Sequence, residues 1–252
     1  MCGIAGFSIA RRDTTTNPTT LMRALFRAIE TRGAHASGAA WAEGDQVWFD
    51  KAPIPGATYG PMLSLPRDVN TAILHTRFAT QGNPEDNRNN HPFPLPNITG
   101  VHNGVVDNDR EVFDLLGVER TCQTDSEAIF ALLAHGGFDH PTEALELVEG
   151  SAAVAWLRSD AAEDLHLARL GGRPLALSQT AEGTLVFAST PELLARACRE
   201  AKVRTVRKLD YSAPEGTYLR VHRGIIHDVV QFTPIQSTWS RKYHGQAYGW
   251  SR

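Results

Sequence analysis

The spacing of hydrophobic and polar positions changes several times along the chain, and each change marks an element. Residues 3–9 predict a short buried strand. From Asn17 the spacing turns helical: Asn17 stands as N-cap, Pro18 takes the first helical position, and Leu21, Met22, Leu25, Phe26 and Ile29 share one stripe, with Gly33 as the stop. Segments 36–42 and 46–51 flank Gly44-Asp45 and predict a hairpin. Thr71 to His75 and Ile98 to His102 predict strands that each run into polar residues. Helices follow over 108–116 and 124–135. The second opens with Thr124-Asp125-Ser126-Glu127, the spacing of a capping box. Further strands are predicted over 151–158, 165–170, 174–179, 184–188, 203–208, 217–222 and 225–231, with a helix near 191–200.

Many short strands, with helices collected between groups of them, predict an α+β layered fold and not a regular alternation of strand and helix. A sheet-on-sheet core with helices outside would bury this many strands. No internal repeat and no linker-like break precedes about residue 231, so residues 1–231 are expected to form one domain. Residues 232–252 differ: they hold five of the chain's 20 aromatic residues, three basic residues and no acid. This C-terminal tail is expected to be weakly ordered.

Composition removes several classes of function. With 25 Lys+Arg against 28 Asp+Glu, the net charge of −3 provides no basic field for nucleic acid. At 42% hydrophobic residues the chain is too apolar for disorder. No apolar run approaches the length of a bilayer span, and the first residues lack the basic and long apolar regions of a secretory signal. A cytoplasmic protein with no membrane partner is the expectation. Cys2, Cys122 and Cys198 are odd in number and lack paired spacing, so they fit neither a disulfide framework nor a zinc site. His75, His91 and His102 lack the i,i+4 spacing of a helical metal site and are expected as buried hydrogen-bonding groups. Neither a metal nor a cofactor is expected.

Position 2 opens a catalytic option. Removal of Met1 would make Cys2 the first residue, and its small side chain permits removal. Its α-amine, with an ordinary pKa of about 7.7–8.0, can then take the proton of the thiol on the same residue. Nucleophile and base then sit on one residue, and Gly3 allows close approach of backbone or substrate. By position alone, an arbitrary buried cysteine is the stronger reading. Three downstream groups bear on the choice. Arg77, at the end of a predicted strand, can hold a carboxylate bidentately. The Asn103 amide beside the Gly104 N–H can form an oxyanion hole. Asp125, at a helix start, can receive an ammonium group. Together they describe an amino-acid amide. Singly, each has a plainer reading: a surface ion pair, a turn and a dipole-favouring cap.

Taken in order, Cys2-Gly3-Ile4-Ala5-Gly6, Arg32-Gly33 through Gly38, and His75-Thr76-Arg77-Phe78-Ala79-Thr80 form one part of a larger pattern. Asn90-His91-Pro92, Val101-His102-Asn103-Gly104-Val105-Val106 and Thr124-Asp125-Ser126-Glu127 continue it. Over about residues 2–220 the chain resembles the class II glutamine amidotransferases, the N-terminal-nucleophile glutaminase domains. Its nearest likeness is the glutaminase half of glutamine–fructose-6-phosphate transaminase. The resemblance implies a four-layer αββα sandwich with Cys2 as nucleophile, its amine as base, and Asn103 with the Gly104 N–H as oxyanion hole. It further implies Arg77, helped by Thr80, for the glutamine α-carboxylate, Asp125 for the α-ammonium, and Arg32 and Phe78 in support. The implied reaction is attack on the side-chain amide of L-glutamine, a γ-glutamyl thioester, release of ammonia and hydrolysis to glutamate, without a cofactor.

The resemblance allows an acceptor synthase as a separate chain, and a homo-oligomer. The length, with no room for a synthase domain, suggests a free-standing glutaminase or one serving such a chain. Three positions depart from the family: His35 stands where an acid is frequent, Phe78 where Trp is, and Gln81 where His is. Phe78 and Gln81 loosen the likeness to that glutaminase half, while His35 supports one alternative, a non-catalytic glutamine-binding or scaffold subunit of the same fold; an amidohydrolase acting on another amide is a further alternative.

Overall fold

A computed structural model describes residues 1–206 and 211–236 of the chain. In chain order the first elements are β1 (Gly3–Ser8), α1 (Pro18–Ile29), β2 (Ala36–Glu43), β3 (Gln46–Ala52), α2 (Gly56–Met62), β4 (Thr71–Arg77), β5 (Phe93–Leu95) and β6 (Ile98–Val106). There follow α3 (Asp109–Leu116), α4 (Glu127–His135), α5 (Pro141–Leu145), β7 (Glu149–Arg158), β8 (Ala161–Arg169), β9 (Ala176–Gln179) and β10 (Leu185–Ala188). The last are α6 (Pro191–Glu200), β11 (Tyr211–Ser212), β12 (Thr217–His222), β13 (Ile225–Gln231) and β14 (Ile235–Gln236).

The strands form two sheets. One runs β11-β9-β10-β1-β4-β2-β3 and the other β13-β12-β8-β7-β6-β5, with the short β14 lying parallel to β7. Three apolar cores separate four layers. Alternate residues of a strand point to opposite faces, and β7 shows the consequence: Ala153, Ala155 and Leu157 face the other sheet, while Ala152, Val154 and Trp156 face the helices. In β1 and β4, Ile4 and Ile73 likewise enter the inter-sheet core. Ala5, Phe7, Ala72 and Leu74 meet α1 and α6 instead. Strands covered on both faces read as continuous apolar runs, which is why the central strands were visible without alternation. The fold is the expected αββα sandwich. Among the described residues no helix is long and apolar enough to cross a membrane.

Several boundaries differ from expectation. Asn17 caps α1 as predicted, its side chain accepting the Thr20 N–H at 2.9 Å. The helix ends at Ile29, however, and a 3-10 turn over Glu30–Arg32 leads to Gly33. The capping box before α4 does not form. The helix begins at Glu127, whose carboxylate accepts the N–H groups of Thr121 and Cys122 at 3.0 Å each, while the Thr124 hydroxyl lies 3.1 Å from the Cys122 sulfur. A nearly buried carboxylate takes the donors that tertiary packing brings to it. β4 and β6 also run past their predicted ends, so Arg77, Asn103 and Gly104 lie within strands. Of the segment 203–208, Thr205 makes an isolated bridge to Thr180, and residues 207 and 208 lie outside the described residues. In the segment set apart from 232 onward, Phe232 is buried among the residues around α4, and Ile235 and Gln236 pair with β7. Residues 237–252 lie outside the described residues.

Candidate active site

β1 and β4 run antiparallel with Gly3 opposite Thr76, so the start of one strand lies beside the end of the other. This register sets Cys2 against Phe78. The Phe78 N–H donates to the Cys2 sulfur at 3.4 Å, and the thiol lies 3.7 Å from the Phe78 carbonyl oxygen. The turn after α1 closes over the same peptide. A side chain at Gly33 would put its Cβ 2.4 Å from the Arg77 carbonyl carbon and the Phe78 nitrogen, so only glycine allows this approach. From that turn the Arg32 Nε donates to the Cys2 carbonyl at 2.7 Å.

Arg77 is 3% exposed, and its guanidinium is multiply engaged. It donates to Asn90 Oδ1 at 2.7 Å, to the Gly82 carbonyl at 3.0 Å and to the Gln81 carbonyl. Burial lowers its pKa, while Cys2, Cys122 and Asp125 act in the opposite sense. From the second sheet, β6 brings Asn103 and Gly104. The Gly104 backbone packs so closely on β7 that a Cβ there would fall 1.9 Å from the Ser151 carbonyl oxygen. Asn103 Nδ2 is buried and has no hydrogen-bond partner among the described residues. Asp125 accepts the Val106 N–H at 2.7 Å and faces the Ser126 hydroxyl at 3.4 Å.

Cys2, Arg77, Phe78, Thr80, Gly104 and Asp125 line one small cleft. Asn103 and Arg32 stand just outside it, the first beside Gly104 and the second behind Cys2. The cleft is small, with a volume of about 30 Å³. Burial pushes the Cys2 thiol above its ordinary pKa, against the Phe78 N–H, the N-terminal charge and Arg77, which favour the thiolate; Asp125 adds to the rise. A thiol held protonated in this way needs a base before it can attack.

The two-sheet frame agrees with what known proteins share with the chain. The profile of the glutamine amidotransferase domain matches residues 75–196, which takes in Arg77 through Asp125. The chain belongs to the class II glutamine amidotransferases. It is 30% identical over 234 residues to a glutamine–fructose-6-phosphate aminotransferase of Symbiobacterium thermophilum, covering 89% of this chain and 37% of the relative. To the Caulobacter vibrioides protein of the same description it is 34% identical, over 71% of this chain and 30% of the relative. The chain thus spans about a third of the curated relatives it matches. Its fold superposes with a TM-score of 0.74 on the glutamine phosphoribosylpyrophosphate amidotransferase of B. subtilis, at 17% identity, over 92% of this chain and 49% of that one.

Around the cleft, sequence reasoning foresaw three buried histidines and missed Lys51 and the anchoring role of Asn90. His75, His91 and His102 gather at the cleft, all buried and with His91 and His102 in its lining, and burial pushes the pKa of His75 down to about 3 and that of His91 well below the ordinary value. His102 is lowered too, by burial first. A neutral His75 donates through Nε2 to the His102 carbonyl at 3.1 Å, and His102 Nδ1 meets the Ser126 hydroxyl at 2.9 Å. These two match the expected hydrogen-bonding role. His91 does not: it stacks on His75 at 3.9 Å, and neither ring nitrogen has a partner among the described residues. Lys51, with no motif around it, donates to the Asn90 and Pro92 carbonyls at 2.7 and 2.9 Å. Burial lowers its pKa to about 8. Asn90, the anchor of Arg77, was visible only as part of Asn90-His91-Pro92.

Proposed function

We propose that the chain hydrolyses the side-chain amide of L-glutamine to glutamate and ammonia through a thioester on Cys2. The single observation that carries this reading is that Cys2, Arg77 and Asp125 open onto one cleft. A nucleophile lies there between a cation suited to an α-carboxylate and an anion suited to an α-ammonium. In this scheme Met1, which is 61% exposed, has been removed. The freed amine of Cys2 takes the thiol proton as sulfur attacks the amide carbon. Asn103 Nδ2, a buried donor in need of an acceptor, and the Gly104 N–H stabilise the oxyanion. The amine returns the proton to the departing nitrogen, which leaves as ammonia. Water, activated by the same amine, then attacks the thioester and releases glutamate. Thr80 assists Arg77 in holding the carboxylate, while Arg32 and Phe78 hold Cys2. The reaction takes place in the cytoplasm, and the ammonia is released or handed to an acceptor synthase.

Intact-mass measurement before and after exposure to a glutamine-mimicking diazoketone tests this. The expected result is loss of Met1 and a single adduct on Cys2, with ammonia release abolished in Cys2→Ala. No adduct on protein that lacks Met1, or ammonia release undiminished in the variant, overturns it. Saturable glutamine binding without glutamate formation assigns the chain to a non-catalytic subunit instead.

A further inference from the structure

Phe78 is the residue whose backbone meets the Cys2 thiol, and His35 brackets it from both sides. The His35 backbone N–H donates to the Arg77 carbonyl at 3.0 Å, and the Ala79 N–H donates to His35 Nδ1 at 2.9 Å. Between these two bonds the imidazole stacks on the Phe78 ring, with centroids 5.2 Å apart and planes 26° from parallel. The peptide before Phe78 and the peptide after it are therefore both fixed by one side chain and its own backbone. To accept from Ala79, Nδ1 must carry a lone pair, so the ring is neutral with its proton on Nε2. His35 is exposed, and among the described residues it is in no ion pair with a carboxylate. The ionisable groups on the elements around it are turned elsewhere: Arg32 to the Cys2 carbonyl, Arg77 to Asn90 and the 81–82 carbonyls. Cys2 faces Phe78, and Asp125 faces the Val106 N–H across the cleft.

We propose that His35 is a positioning residue that clamps the Arg77–Ala79 backbone against Cys2, and that protonation of its imidazole opens the clamp. Protonated, the ring carries an N–H at Nδ1 that points at the Ala79 N–H, and two donors repel. The bond closes only when the ring is neutral. Histidine is the side chain that ordinarily makes this change between about pH 5 and 8. An opened clamp frees the Phe78 N–H from the thiol and loosens the peptide that carries Arg77. A carboxylate or amide oxygen at position 35 would accept at any neutral or mildly acidic pH. The histidine therefore adds an acid-sensitive element to the site.

The inference rests on the glutaminase reading for its effect on turnover, but the clamp itself is testable without it. In the full-length chain, kcat/KM for glutamine is measured against pH for the wild type, His35→Asn and His35→Ala. Asn places an untitratable acceptor near the Nδ1 position. At neutral pH, His35→Asn should retain most of the activity, and His35→Ala should lose about three- to tenfold, the range expected for the loss of one intramolecular hydrogen bond that positions the site. Toward pH 5.5 the wild type should fall more steeply than His35→Asn. The Cys2 amine titrates in both proteins, so the difference between the profiles isolates His35. Superimposable profiles, or full activity in His35→Ala, overturn the proposal. In parallel, the Ala79 amide of ¹⁵N-labelled protein should shift and lose exchange protection in step with titration of the His35 ring, and should do neither in His35→Asn. An Ala79 amide indifferent to that titration overturns the clamp even if the protein proves to make no glutamate.

Discussion

A guanidinium with three backbone and side-chain acceptors around it is a structural part before it is a binding group. Arg77 ties Asn90 to the carbonyls of Gln81 and Gly82, and the remaining face of its planar fork is what a substrate carboxylate would use. Lysine keeps the charge but not the fork. Arg77→Lys is therefore expected to lower kcat/KM for glutamine by about 10- to 100-fold, mostly through KM, since bonds to a charged group are worth about 1.5–3 kcal/mol. Steady-state kinetics of glutamate formation checks this. Residue types were legible at this scale: Cys2, Arg77 and Asp125 each suggest a charge or nucleophile role from the sequence. Their company was not. Lys51 and Asn90 join the site through backbone carbonyls and an amide oxygen, and such bonds leave no trace in spacing or charge.

At the scale of elements, the site exists because two strand ends and a turn are forced together. Gly33 is the narrowest point, with the 77–78 peptide where a Cβ would be. Gly33→Ala must push the turn off β4 and with it Arg32 and His35. The expected cost is about 1–3 kcal/mol of stability, the usual range for overpacking, together with slower labelling of Cys2 by the diazoketone. Urea unfolding and labelling rate measure the two effects. Unchanged labelling would show that the close approach of turn and strand does not matter to the thiol. Element types were readable because the apolar stripe of α1 and the runs of β1, β4 and β7 are long and regular. Ends were harder. The Thr124-Asp125-Ser126-Glu127 pattern promised a local cap, but Glu127 is drawn to Thr121 and Cys122 instead, because a buried carboxylate must be satisfied wherever donors converge. The short α2, with Pro61 inside it, and α5 carry too few residues for a period to be recognised.

Across the whole molecule, three cores hold four layers, and one polar knot closes the far end of the first sheet from Cys2. Burial would raise the pKa of Asp13, but hydrogen bonds from the hydroxyls of Thr184, Thr16 and Thr15 and the Thr16 N–H outweigh it and bring the value down to about 2. Through Thr184 the carboxylate ties the segment after β1 to the start of β10. Its folded pKa lies below the unfolded value of about 3.9. Its stabilisation is therefore complete above about pH 4 and is lost as pH falls toward 2. Wild type should thus lose more of its melting temperature than Asp13→Asn between pH 5 and 2.5, with Asp13→Asn lower at neutral pH. Equal slopes would remove Asp13 from the acid response. By itself the sequence determined the number and kind of most elements and the layered α+β class, and it offered the residue types of a candidate site, because periodicity and residue type are local properties. Only the tertiary structure decided that Gly3 lies opposite Thr76, that Cys2 meets Phe78, and that His35 closes around that peptide. Those contacts depend on strand register and on backbone approaches between residues far apart in the chain, and no local pattern encodes either.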